Sequence, residues 1–335
     1  MSELHAIAKK LVANHKGLLA ADESTKSAGK RLASVGLEST EETRRQYRNL
    51  FLTTQGIEEG ISGVILFEET MWQKADDGTL FVELLQQKGI VPGIKVDKGA
   101  KELAGFPEEK ITEGLDKLRE RFQDFYDQGA RFAKWRAVIT IGDGIPTDYC
   151  IEANAHALAR YAALAQEAGI VPVVEPEVLI TGKHDLSTSE AATTRVLQAT
   201  FAQLADHRVD LKGLILKSSM AISGDECANQ ATPEEIAEAT LRMFEKSVPS
   251  EVPGIVFLSG GQSAVQATTN LNAINAKSKG PWTISFSYAR ALQAPSLAIW
   301  KGKKEHLSAA QAEFLKRLRA NVKANAGLYT REDEA

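Results

Sequence analysis

Eight short apolar runs, each closing on polar or charged residues, predict a single α/β domain over residues 1–335: a (β/α)8 TIM barrel. Two further observations support it. The chain between successive runs is long enough for a crossover helix each time, and several of those intervals open with helix-capping signals. The usual alternative, a doubly wound sheet, would need unusually many strands. It also lacks support at its first turn, where no GxGxxG follows the first run.

The elements follow in order. An amphipathic pattern predicts an N-terminal helix over about 3–15. The strands are expected at GLLAAD (17–22), GVILFEE (63–69), VPGIKVD (91–97), FAKWRAVI (132–139), VPVVEPE (171–177), GLILKS (213–218), GIVFLSG (254–260) and TISFSY (283–288). Ser39-Thr40-Glu41-Glu42, Ser187-Thr188-Ser189-Glu190 and Ser263-Ala264-Val265-Gln266 fit the capping box. Thr232-Pro233-Glu234-Glu235 adds proline at the first helical position. A long helix runs from Thr147 to a terminating Gly169. A short tail is expected over about 327–335, and no close sequence repeat underlies the architectural one.

Composition excludes several classes. Hydrophobic residues make up 43% and charged residues 25%, so a large core is available. A net charge of −4 and a pI of about 6.0 argue against a nucleic-acid or membrane-surface binder. No apolar run approaches the roughly 18 residues of a membrane helix, and the start MSELHAIAKKLVANH lacks a signal-peptide core. Cys150 and Cys227 make neither a disulfide framework nor a zinc site. The six histidines are scattered and none forms an HxxxH or HxH pair, so no catalytic metal is expected. The default is a cytoplasmic, reducing-compartment protein.

The charges in the strands point to chemistry. Side chains two apart on a strand face the same way, and the carboxyl ends of barrel strands face the active site. Lys95 and Asp97, Lys134 and Arg136, and Glu175 and Glu177 each place two charges on one face at a strand end. Asp22, Lys217 and Ser259 add one polar group from three further strands. Any single pair is ordinary as a buried ion pair, but six strands placing polar groups at one end are hard to explain as structure alone. Glu68, Glu69 and Lys98 read as rim charges.

Lys217 stands at the inner end of a buried run, where an unpaired ammonium is costly. Its use as a nucleophile toward a carbonyl would require loss of a proton, which a nearby cation and desolvation both favour. Lys134, on a neighbouring inward face, is the candidate cation. Nearby carboxylates would oppose the shift. The competing reading is a lysine reaching a rim carboxylate.

The last two strands end in anion-binding features. Ser259-Gly260-Gly261 leads into a capped helix, whose free N–H groups suit a phosphate. Arg290 follows the eighth strand with a guanidinium suited to bidentate contact. Ser24, Ser27, Lys95 and Arg136 are candidates for a second anion across the mouth, so the substrate would carry phosphate at both ends.

The stretches LLAADES (18–24), GVILFEET (63–70), QKADDGTL (73–80), GIKVDKG (93–99), FAKWR (132–136), VPVVEPE (171–177), LSGGQS (258–263), LNAINA (271–276) and RALQAP (290–295) closely resemble the class I, Schiff-base fructose-bisphosphate aldolases. The resemblance runs in order from about residue 15 to about 330. It implies that Lys217 forms the imine with the ketone of fructose 1,6-bisphosphate. Glu175 is then the acid–base group, Glu177 positions the lysine, Lys134 sets the electrostatics, and Asp22 takes the C4 hydroxyl proton. It assigns Ser259, Gly260, Gly261 and Arg290 to the C1 phosphate, and Ser24, Ser27, Lys95 and Arg136 to the C6 end. It implies no cofactor or metal, and a homotetramer acting on small sugar phosphates.

Four departures from the family pattern stand out. Ser218 and Ser219 replace Pro-Asn after the nucleophile, Ala289 replaces the glycine before the arginine, and Lys26 replaces a glycine near the C6 end. Many relatives also carry a mobile tail ending in tyrosine, whereas this sequence ends Tyr329-Thr330-Arg331-Glu332-Asp333-Glu334-Ala335. Enamine proton transfer is therefore expected to be slower relative to bond cleavage than in relatives with that tail. The alternatives are a Schiff-base aldolase on a related sugar phosphate, which a panel of mono- and bisphosphates would reveal, and a catalytically weak scaffold.

Overall fold

The computed structural model describes residues 2–13 and 15–334. Its core is eight parallel strands: β1 (Gly17–Ala21), β2 (Ile61–Leu66), β3 (Val91–Lys95), β4 (Phe132–Ile139), β5 (Val171–Val178), β6 (Ile215–Ser218), β7 (Gly254–Phe257) and β8 (Thr283–Tyr288). They close into a barrel in the order β1-β8-β7-β6-β5-β4-β3-β2. Leu18 in β1 pairs with both Ser287 in β8 and Gly63 in β2, which seals the ring.

Alternation along the strands explains the sequence. Leu18, Ile65, Phe132, Val171, Val173, Ile215 and Val256 point inward as one apolar cluster, with Ala8 and Leu11 of the helix Glu3–Leu11 plugging the floor. Leu19, Val64, Trp135, Val174, Leu216 and Phe257 point outward into the larger cluster shared with the helices. A Cβ at Gly93 would stand 2.3 Å from the Phe132 ring. The neighbouring strand thus gives up a side chain so that one large ring can fill the floor. Above that floor, the same inward rows turn from apolar to charged.

The structure differs from expectation in a few places. The first helix ends at Leu11 instead of near 15, and Asn14 lies outside the described residues. An antiparallel hairpin, Ala100–Glu102 against Lys110–Thr112, stands between β3 and β4 and was not foreseen. The run at 213–218 starts as a 3-10 turn at Leu211–Gly213, so β6 is shorter than expected. Thr40, not Ser39, caps its helix, with Thr43 completing the box; Asp185, not Ser187, caps the helix Leu186–Asp206. An Asp carboxylate is as good an N-cap acceptor as a hydroxyl. The caps at Thr147, Thr232 and Ser263 are as expected.

Candidate active site

A cavity of about 670 Å³ opens at the carboxyl ends of the strands and takes lining residues from six of them and from the segments that directly follow β2 and β7. Asp22, Lys95, Lys134, Arg136, Glu175, Glu177, Lys217, Ser24, Ser27, Ser259, Gly260 and Arg290 all line it. Gly261 is outside that lining but adjacent to it: Nη2 of Arg290 would lie 4.0 Å from a Cβ placed there.

At the centre, four side chains form a continuous chain of charge. Lys134 Nζ lies 2.6 Å from Asp22 Oδ2 and 3.3 Å from Glu175 Oε2. The other oxygen of Glu175, Oε1, lies 3.1 Å from Lys217 Nζ. All four residues are buried. Glu175 therefore bridges the two ammonium groups. The simple picture of one lysine pressing directly on another is replaced by two lysines sharing a carboxylate.

The electrostatics follow from burial and these contacts. Burial works against charge on Asp22, but Lys134 and then Lys217 hold its carboxyl well below the usual carboxylate range. Burial also works against charge on Glu175, and Lys134, Lys217 and Arg136 again outweigh it, so its pKa is lowered. Lys134 is desolvated too, yet Asp22, Glu175 and Asp97 raise its pKa above that of an ordinary lysine. It is a fixed cation. For Lys95 burial dominates and lowers the pKa, despite an ion pair with Asp97 at 2.6 Å.

Around this centre, Glu177 pairs with Arg136, so in this structure its carboxylate faces the arginine. Asp97 holds the strand ends together, accepting from Lys95 and, at 3.3 Å, from the Arg136 N–H. Ser24 caps the helix Thr25–Ala33, its hydroxyl 3.2 Å from that of Ser27.

At the β7 and β8 ends, Gly260 and Gly261 have φ of 56° and 103°. Two consecutive left-handed residues are easy only for glycine. Ser263 then caps the helix Ala264–Lys277. Ala289 has φ −105°, outside the left-handed region that would call for the family's glycine.

Ser219 donates to the Val178 carbonyl at 2.9 Å and accepts from its N–H at 3.2 Å, tying the β6 exit to β5. Lys26 is exposed and does not line the cavity, whereas Lys30, one turn further, does. Tyr329 is buried elsewhere, donating to Glu334 at 2.6 Å in a segment held by Lys316 and Arg317.

Sequence reasoning missed Glu23 and Arg31, which line the cavity. Glu23 is an ordinary neighbour of Asp22 in sequence and Arg31 an ordinary helix arginine. The only available signal was the position of Arg31 one to two turns after the Ser24 cap.

Comparison with known proteins identifies the family. The family model described as fructose-bisphosphate aldolase class-I matches residues 3–335. The cytosolic fructose-bisphosphate aldolase 6 of Arabidopsis thaliana is 53% identical over 315 residues, 94% of this chain and 88% of the relative. A probable class 1 fructose-bisphosphate aldolase of Xanthomonas axonopodis is 51% identical over 98% of this chain and 99% of its own. The solved structure of the fructose-bisphosphate aldolase from Plasmodium falciparum superposes with a TM-score of 0.96 at 46% identity, covering 98% of this chain and 95% of that one. Fold and sequence agree over nearly the whole length, and the chain belongs to the class-I fructose-bisphosphate aldolase family, metal-independent lyases of glycolysis.

Proposed function

We propose that the buried chain Lys217–Glu175–Lys134–Asp22 carries out the aldol chemistry. The observation that carries this reading is Glu175, with Lys217 Nζ 3.1 Å from one oxygen and Lys134 Nζ 3.3 Å from the other. The neutral amine of Lys217 attacks the C2 ketone of fructose 1,6-bisphosphate. Glu175, having taken the proton that the Lys217 ammonium gives up before the attack, returns it to the carbinolamine oxygen, water leaves, and a protonated imine remains. Asp22 removes the C4 hydroxyl proton. The C3–C4 bonding pair then flows into the imine, releasing glyceraldehyde 3-phosphate and leaving an enamine. Protonation at C3 and hydrolysis release dihydroxyacetone phosphate and restore Lys217.

One feature of the charges favours the bond-breaking step. Lys217 is among the cations that depress Asp22. As electrons flow into the protonated imine, that positive charge disappears, so Asp22 becomes more basic while it takes up the proton. The stabilisation lies in the transition state, where it accelerates the step.

Glu177 acts with Arg136 to position the lysine side of the site. Ser259, Gly260, Gly261 and Arg290 hold the C1 phosphate; Ser24, Ser27, Lys95 and Arg136 serve the C6 phosphate. The chain acts as one domain, as a homotetramer in the cytosol. The name of the Arabidopsis relative supports that compartment, and among the described residues no helix is long and apolar enough to cross a membrane. Sedimentation in solution tests the tetramer. The activity test is cleavage of fructose 1,6-bisphosphate with and without EDTA. Turnover that EDTA leaves unchanged supports the reading, and turnover abolished by EDTA refutes it.

A further inference from the structure

Apart from the proton-transfer chain, a second set of buried polar side chains joins β1 to the helix Arg290–Trp300. Gln293 lies on that helix three residues after Arg290, so the two share a face. It is fully buried. Its Oε1 accepts from the Tyr47 phenol at 2.5 Å and from Arg31 Nη1 at 2.8 Å. Its Nε2 donates to the Ala20 carbonyl at 2.8 Å, two residues before Asp22. Three of the four hydrogen-bonding positions of one carboxamide are used, which leaves it little freedom.

The same nitrogen of Arg31 has two further neighbours. It also donates to the Tyr47 oxygen at 3.2 Å and pairs with Glu23, which Arg48 holds from the other side. A free arginine spreads over many rotamers; this one has three partners and still lines the cavity. Desolvating so many polar groups is costly unless all are matched.

We propose that Gln293 is a positioning residue for the aldolase reaction, acting through Arg31 with Tyr47 as its partner. Its carboxamide, anchored on the Ala20 carbonyl, fixes the Arg31 guanidinium over the cavity beside the helix that presents Arg290. The inference rests on the reading of this cavity as the sugar-phosphate site. Hydrogen bonds to a charged group are the stronger kind, so losing this one changes how well the cavity holds an anion before any bond is broken.

The test is a double-mutant cycle between Gln293→Met and Arg31→Ala, with Tyr47→Phe in parallel. The readouts are KM and kcat for fructose 1,6-bisphosphate and competitive inhibition by inorganic phosphate. Gln293→Met is expected to raise KM about tenfold and weaken phosphate inhibition by a similar factor. It should leave kcat within about threefold, and add less than about twofold once Arg31 is alanine. Multiplicative effects, or an unchanged KM with only a lower melting temperature, would overturn the inference. If Gln293→Met does not fold, the cycle of Tyr47→Phe with Arg31→Ala decides by the same criterion, since it removes a single hydroxyl. Borohydride reduction with dihydroxyacetone phosphate is run alongside. A wild-type protein that forms no adduct overturns the cavity reading and this inference together; an intact adduct with multiplicative KM effects overturns this inference alone.

Discussion

Replacing Lys134 by methionine keeps most of the side chain's bulk and removes one buried charge. In the native protein that charge sits 2.6 Å from Asp22 and 3.3 Å from Glu175. Removing one member of a buried ion-pair set costs about 3–5 kcal/mol, because the remaining charges are left uncompensated. At about 2.1 cal/mol/K of unfolding entropy per residue, 335 residues convert this to a fall in melting temperature of roughly 4–7 °C.

The sign of the pH dependence follows from Asp22. Its native pKa is depressed, so in the wild type its contribution is present above the unfolded value of about 3.9 and lost as pH falls through the native one. Without Lys134, burial is opposed by Lys217 and Lys95 only, and the native pKa of Asp22 rises. The deficit of Lys134→Met is therefore larger near about pH 8 than near about pH 5, where the buried carboxyl can take up a proton. Loss of a group that organises both acid–base carboxylates lowers kcat by about 10²–10⁴. Calorimetry at the two pH values and a coupled cleavage assay read these effects. A deficit equal at both pH values, or a kcat within tenfold of the wild type, would refute the reasoning.

Other consequences concern the phosphate ends. Arg290→Ala should raise KM for fructose 1,6-bisphosphate by about 10–100-fold, the worth of charge-assisted hydrogen bonds, and steady-state kinetics would show it. Gly261→Ala forces a Cβ onto φ 103° and to 3.1 Å from Ile180, at a cost of about 1–3 kcal/mol. The measured outcome should be a higher KM and a lower melting temperature together. Lys26→Gly should leave the ratio of activities on fructose 1,6-bisphosphate and fructose 1-phosphate within about twofold, because an exposed charge off the cavity is screened by solvent. A larger change in that ratio would return Lys26 to the site.

The barrel was legible because its inward rows change character along single strands. Phe132 is apolar while Lys134 and Arg136 on the same face are charged, and only a floor-to-mouth gradient explains that alternation. Lys217, Glu175 and Asp22 were legible for the same reason. The hairpin at 100–112 was not, since its strands are three residues each, AKE is exposed, and only Ile111 and Thr112 of the second strand turn toward the core, too short a pattern to signal a strand. The Gln293 clasp was also illegible. Tyr47 and Gln293 are 246 residues apart, and each alone is an ordinary core polar residue. Local pattern marks which residues face the mouth, but it carries no record of which buried side chains from distant helices meet.

The measurement closest to the central claim is borohydride trapping of the imine. The protein is incubated with dihydroxyacetone phosphate, with and without EDTA, then reduced, digested and mapped by mass. The account predicts one adduct, on the peptide bearing Lys217, formed equally with EDTA present. No adduct, or an adduct on Lys134 or another lysine, would contradict it.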